Sequence, residues 1–265
     1  MKIVVTSSVD RASMNILESL IEHFPFEKEG EFEGFPTYIL GDTMIITTRE
    51  ELTKANHLEK YFMPKTWIFA SRHESKKKIP CLTVHAPGNI NQFGIADPSS
   101  IKLAIMKLHE LRSELNLNYL VSLEATHHGP STLEKPVTFI EIGSDLEAWS
   151  DLKACEVVSH AIMDATRDVK FDSYLGIGGP HYAPTHTRIV LNTKIAVGHI
   201  LPSYLLGDIT EKVFEEVLHR NVENINKVIL DWKGMRSMER KKILNMCDKL
   251  GVEVIRERDI RSSEN

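Results

Sequence analysis

At 265 residues, with 42% hydrophobic and 26% charged residues and no repeat or low-complexity tract, the chain fits a soluble, folded protein with one sizeable core. A net charge of −5 argues against a general nucleic-acid coat protein while leaving room for a local basic surface. Cys81, Cys155 and Cys247 form no CxxC pair, which excludes a disulfide framework and a thiolate zinc knuckle, and no apolar run approaches the ~18 residues of a membrane span. The expectation is a monomer in a reducing cytoplasm, with no membrane partner.

In chain order, Lys2 to Thr6 reads as a strand, and Ala12 to Phe24 as a helix with Met14, Leu17, Leu20, Ile21 and Phe24 on one face. The acidic, Gly-broken stretch 27–36 reads as a loop, followed by strands 37–40 and 44–47 hinged at Gly41-Asp42. Thr66 to Ser71 is a strand ending in Arg72-His73-Glu74-Ser75 and the lysines Lys76, Lys77 and Lys78. Cys81 to His85 is another, stopped by Ala86-Pro87-Gly88. Asp97-Pro98 caps a helix whose apolar stripe is Ile101, Ala104, Ile105, Leu108 and Leu111. The strand Leu120 to Leu123 follows and ends in Glu124-Ala125-Thr126-His127-His128-Gly129-Pro130. A further apolar run, Thr138 to Ile142, holds a single acid, Glu141, and Ser144 with Glu147 reads as a capping box for a helix through Thr166.

Beyond it come a strand 172–176, the loop GIGGPHYAPTHT over 176–187, strands 188–191 and 194–197, and a helix 209–222. The tail reads as strand 227–232, helix 237–250 and strand 252–257. Alternating strands and helices predict an α/β three-layer sandwich around a mixed sheet, one domain over 1–265, with 208–265 as a small C-terminal lobe on the same sheet.

Seven histidines fall at predicted strand ends or in Gly/Pro loops: His73, His85, His127, His128, His181, His186 and His199. If the strands run in one direction, these converge on one rim of the sheet, together with Glu74, Glu124 and Glu141. Imidazole is the commonest metal ligand and titrates near neutrality, so such a rim suits a hydrolytic metal or an acid/base centre. With N and O donors present and thiolates absent, zinc is the favoured ion. HExxH, GxGxxG, a P-loop and GxSxG are all missing, so ligands have to come from separate strands. Two plainer readings stand beside this one. His127 and His128 cap a turn while Glu141 faces solvent on an edge strand, or the glycines at 176, 178 and 179 serve a crossover turn only.

Five blocks in order, SRHES at 71–75, LTVHAPGN at 82–89, EATHHGP at 124–130, GIGGPHYAPTHT at 176–187 and VGHILPSY at 197–204, resemble the archaeal type of D-aminoacyl-tRNA deacylase, a family also found in plants. The resemblance spans nearly the whole chain. It implies hydrolysis of the ester joining a D-amino acid to tRNA, zinc dependence, and a phosphorylase/hydrolase-like α/β fold. The assignment of roles comes from the residues themselves. His73, His127, His128 and Glu141 are placed near the metal, with Glu124 as base. His181 and His186 join it in the catalytic group, contacting with Tyr182 the amino acid or the terminal adenosine. Gly178 and Gly179 are expected to lie against the reacting end and to offer N–H groups to an oxyanion.

Lys76, Lys77 and Lys78 are expected to grip the tRNA body, as is the basic tail, where residues 233–265 carry nine Lys/Arg, from Lys233 to Arg261, against six acids. Two rival functions remain: a zinc amidohydrolase or exopeptidase on a small peptide-like substrate, and a non-catalytic protein that binds the tRNA end.

Overall fold

The computed structural model describes residues 1–260. The chain opens with β1 (Lys2–Ser7), α1 (Arg11–His23), β2 (Glu27–Phe32), β3 (Phe35–Leu40), β4 (Thr43–Thr48), β5 (Trp67–Glu74) and β6 (Cys81–His85). A two-residue pair, β7 (Gly88–Asn89) and β8 (Gln92–Phe93), precedes α2 (Pro98–Glu114), β9 (Leu120–Leu123), β10 (Val137–Ser144), α3 (Leu146–Trp149) and α4 (Leu152–Ala165). The remainder is β11 (Asp172–Ile177), α5 (Pro184–Asn192), β12 (Ile195–Leu201), α6 (Glu211–His219), β13 (Lys227–Leu230), α7 (Ser237–Leu250), β14 (Glu253–Arg256) and α8 (Glu257–Ile260).

Eight strands make a mixed sheet in the order β2-β3-β4-β1-β5-β10-β6-β9. Strands β4, β1, β5 and β10 run parallel, whereas β6 meets β10 antiparallel and β9 follows β6. The expected common strand direction therefore fails at β6. Period-two alternation along β10 gives its two faces different tasks. Ile140 and Ile142 join the core beneath α1, α2 and α4, while Val137 and Phe139 pack with Ile3, Val5, Trp67 and Phe69 on the opposite face. Glu141 shares that second face. Leu52, Ala55, Leu58 and Leu133 cover its apolar part from short 3-10 turns and a loop, so the third layer here is not helical.

Several expectations need correction. The charged stretch 27–32 is not a loop but the edge strand β2, and its acids make it a poor template for further pairing. The helix ending at Ala165 is capped by Asp151 rather than by Ser144, which ends β10, and Asp145 caps the separate short helix α3. Residues 188–191 are helical, not a strand. Pro184 supplies a preset φ in the first turn of α5, and Thr187 returns its hydroxyl to the Ala183 carbonyl at 2.8 Å.

The tail does not extend the large sheet. Strands β12-β11-β13-β14 form a second, all-parallel sheet of four. One face of this sheet, with Tyr174, Val197 and Ile229, packs into the core shared with α2 and α5, and the other, with Leu175, Val228 and Leu230, packs on α6 and α7. A helix-sheet-helix sandwich thus surrounds the smaller sheet. Arg261 lies outside the described residues. No helix among the described residues is long and apolar enough to cross a membrane.

A candidate histidine and glutamate metal centre

The site forms on the face of the large sheet that carries Glu141, where the segments following β9 and β11 fold over it. Glu141 is 2% exposed, and Glu124, one residue past β9, is equally buried. Two carboxylates this deep require compensating positive charge. Histidines supply it. His73 Nδ1 lies 3.3 Å from Glu124 Oε1 and 3.4 Å from Glu141 Oε2, and its Nε2 is 2.8 Å from the Tyr182 hydroxyl. His181 Nε2 approaches Glu124 Oε1 at 3.5 Å, and its Nδ1 is 3.5 Å from the Tyr204 hydroxyl.

His85, His127 and His128 share a different arrangement. Each directs Nδ1 at a main-chain carbonyl, of Ala86 at 3.2 Å, Ala125 at 2.8 Å and Gly129 at 2.8 Å. A carbonyl only accepts, so each ring carries its proton on Nδ1 and presents an Nε2 lone pair. The three Nε2 atoms face carboxylates at 3.7, 4.0 and 3.9 Å, respectively Glu141, Glu124 and Glu141. Those distances are too long for hydrogen bonds. His85 Nε2 and both Glu124 oxygens are buried with no hydrogen-bond partner. Unmatched lone pairs converging on one place fit a small cation, and Nδ1–H held by a carbonyl is the arrangement that orients imidazole ligands. Donor atoms lie within 4.8 Å of one another in three overlapping sets, His85-His127-His128, Glu124-His127-His181 and His73-Glu124-Glu141.

Electrostatics point the same way. Burial works against the His73 cation, but the two carboxylates outweigh it and raise its pKa to about 10. Burial also opposes ionisation of Glu124, yet His181 and His73 pull it down to about 2, and Glu141 is held well below the usual range by His73 and His85 against the same burial. Burial, followed by the charge of His85, lowers His127 to about 2 and His128 to about 4. For His85, burial is outweighed by Glu141, which raises it. The site asks for positive charge at His85 Nε2, and a proton or a metal ion meets that demand equally.

Of the expected site residues, His73, Glu124, His127, His128, Glu141, His181 and Tyr182 come together here. His186 does not. It lies inside α5, fully buried, with Nε2 3.3 Å from the Gly178 carbonyl. His199, also from the expected rim, is buried in β12 between Thr126 and the carbonyls of Gly94 and Arg220. Gly178 and Gly179 border the site, but their N–H groups already serve the Leu201 carbonyl and Ser203 Oγ, so the expected oxyanion donors are engaged. Lys76, Lys77 and Lys78 are exposed on the turn after β5, next to Ser75.

Sequence reasoning left His85 out of the ligand set. The one available signal is that it ends a strand whose other residues are uncharged, immediately before Ala86-Pro87-Gly88.

Comparison with known proteins adds an independent line. The sequence profile of a family described as D-aminoacyl-tRNA deacylase matches residues 61–255. A Pyrococcus abyssi protein named D-aminoacyl-tRNA deacylase is 41% identical, covering 97% of this chain and 100% of its own length. Its counterpart from Thermococcus onnurineus is 39% identical with the same coverage, and that of Archaeoglobus fulgidus is 34% identical across 98% of both chains. A crystal structure of a conserved protein of unknown function superposes with a TM-score of 0.90, at 32% identity over 99% of this chain and 97% of that one.

Proposed function

Because the chain belongs to the D-aminoacyl-tRNA deacylase family, we propose that it hydrolyses the ester between a D-amino acid and tRNA, and that cleavage takes place at the histidine and glutamate cluster. The observation that carries the site assignment is the convergence of three imidazole Nε2 lone pairs on two buried carboxylates, with no hydrogen bond among them. His85, His127 and His128 would hold zinc, with a carboxylate of Glu124 or Glu141 beside them. Thiolate competes poorly, since burial pushes the nearby Cys81 thiol up to about 11. When bound, zinc supplies a water whose pKa falls to about 7 and polarises an ester carbonyl.

The chain's own residues do the rest. Glu124 is placed to accept the proton of the attacking water; its low pKa makes it a weak base toward bulk water, which is why a cation is needed for the step to run near neutrality. The water oxygen bonds to the ester carbon, the bond to the ribose oxygen breaks, and the ribose oxygen takes up a proton. His181, one-third exposed and in contact with Glu124, stands where it can deliver that proton. His73, held by Tyr182 at one nitrogen, fixes both carboxylates through the other, which moves it from ligand to positioning residue in this reading. Lys76, Lys77 and Lys78 contribute charge to the approach of the polyanionic tRNA. The reading places the protein in the cytoplasm, consistent with three buried, unbridged cysteines.

Incubation with D-tyrosyl-tRNA and L-tyrosyl-tRNA, with and without chelator, tests it. Chelator-sensitive release of D-tyrosine only is expected. Hydrolysis of small peptides with both tRNAs untouched would favour the amidohydrolase, and tight binding without turnover the end-binding protein.

A further inference from the structure

The four-stranded sheet has a carboxyl edge of which the chemistry above uses only His181 and Tyr182, just past β11. Its order, β12-β11-β13-β14, reverses beside β11, since the chain steps to one side for β12 and returns on the other for β13. Connections that part in this way leave a crevice at the strand ends, the place where open α/β sheets take ligands. Gly178-Gly179 forms one lip and residues 231–235 the other. The two lips touch: a Cβ on Gly178 would lie 2.7 Å from Met235 Cγ, and one on Gly179 2.9 Å from Asp231 Oδ2.

Above this contact the rim is cationic. Trp232 carries the Arg256 guanidinium 4.1 Å and the Arg240 guanidinium 4.9 Å from its ring centroid. Arg240 donates from Nη2 to the Met235 carbonyl at 2.6 Å, while its Nε is buried without a hydrogen-bond partner. Neither guanidinium has a carboxylate within ion-pair distance among the described residues. The acids on this rim are committed: Asp231 Oδ1 accepts the Gly234 N–H at 3.1 Å, and Glu239 is bound by Arg236 at 2.5 and 2.6 Å. Lys233 adds exposed charge, and the 14-residue α7 begins on the same rim. Trp232 therefore holds two guanidiniums that no carboxylate pairs with among the described residues, and guanidinium matches phosphate in particular.

We propose that this rim holds phosphodiesters of the single-stranded 3′ end of the tRNA, with Arg240 and Arg256 on phosphate and Trp232 as the platform that keeps the pair aligned. The inference rests on the deacylase reading. It draws further support from reach, because Gly178 and His181 are three residues apart, at most about 10 Å of chain. One strand can then lie on the rim while its terminal ester enters the cluster. A cationic track with an aromatic residue is also how single strands are generally held.

The test is filter binding of intact uncharged tRNA, and of the same tRNA lacking its 3′ single-stranded nucleotides, across a salt series. For the double variant Arg240→Gln/Arg256→Gln we expect roughly tenfold weaker binding of intact tRNA and a salt slope lower by about 1.4, at 0.7 per single-strand phosphate contact. Binding of the truncated tRNA should not change, and Arg256→Lys should keep most of the slope. Should the double variant melt early, Arg256→Gln alone gives the same reading at about 0.7 in slope. Equal losses on both RNAs, or no loss on either, overturn the proposal. The deacylase reading fails separately, if wild-type protein leaves D-tyrosyl-tRNA intact.

Discussion

On one side of the cluster, His85, His127 and His128 each give a ring proton to a main-chain carbonyl and turn the other nitrogen inward; on the other side, His73 is clamped between two carboxylates and a tyrosine hydroxyl. The residue type is the same and burial acts in the same direction on all of them. What separates His127 and His128 from His73 is the atom facing Nδ1; His85 stands between them, with a carbonyl at Nδ1 but Glu141 raising its pKa from the Nε2 side. A carbonyl leaves a lone pair free for a cation, whereas a carboxylate draws a second proton onto the ring and makes it a counter-ion. The difference teaches that role follows the second contact of each imidazole, which a sequence does not display.

The sharpest way to break the contrast is to delete an inward lone pair. His128→Ala should lower single-turnover deacylation by about a thousandfold, the several kcal/mol that loss of metal assistance represents. His128 also sits at φ 43°, and alanine tolerates that conformation no better, so a melting curve should accompany the rate.

Next in size is a backbone effect. Gly179 has φ 86° and faces Asp231 Oδ2, so Gly179→Ala should cost about 1–3 kcal/mol of stability, read as a lower melting temperature. A variant as stable as wild type but inactive would show instead that this glycine serves the substrate directly.

Tyr182→Phe removes the hydroxyl on His73 Nε2 and leaves the three inward imidazoles alone. Roughly tenfold lower kcat with unchanged metal content is the expectation, in the range for groups that orient a site. Equal loss of metal would place His73 among the ligands after all.

The smallest effect comes from a buried cation outside the site. Lys102 donates to the carbonyls of Val190 at 2.5 Å and Thr193 at 2.7 Å, and burial lowers its pKa to about 8, opposite to the rise that carboxylates give His73. Between about 8 and the unfolded value of 10.5 the unfolded chain binds more protons, so this group makes stability rise with pH across that window. Comparing melting temperatures at pH 8 and pH 10 in wild type and Lys102→Met should show that part of the rise missing from the variant.

Much of this was legible in the sequence, for physical reasons that can be named. Asp97-Pro98 and the stripe from Ile101 to Leu108 predicted α2 because caps and periodicity are local. Glu141 stood out because an ionised group amid Phe139, Ile140 and Ile142 needs a partner wherever the strand goes. Other features were set at long range. The antiparallel entry of β6, which brings His85 opposite Phe139, is a pairing choice no local signal encodes. The β-branched pair Ile189 and Val190 makes 188–191 read as a strand, whereas the helix α5 is fixed from outside that stretch, by Pro184 in its first turn and the bond Thr187 Oγ1 accepts from Leu123 N–H. The engaged N–H groups of Gly178 and Gly179 depended on Leu201 and Ser203, beyond the reach of motif reading.

The most direct measurement is elemental analysis paired with single-turnover cleavage of D-tyrosyl-tRNA, on the same preparations of wild type and His85→Ala purified without chelator. Zinc in the wild-type protein is predicted, with zinc and cleavage lost together in His85→Ala and L-tyrosyl-tRNA left intact throughout. A metal-free wild type cleaving at full rate, or a His85→Ala protein keeping both zinc and rate, would contradict the account.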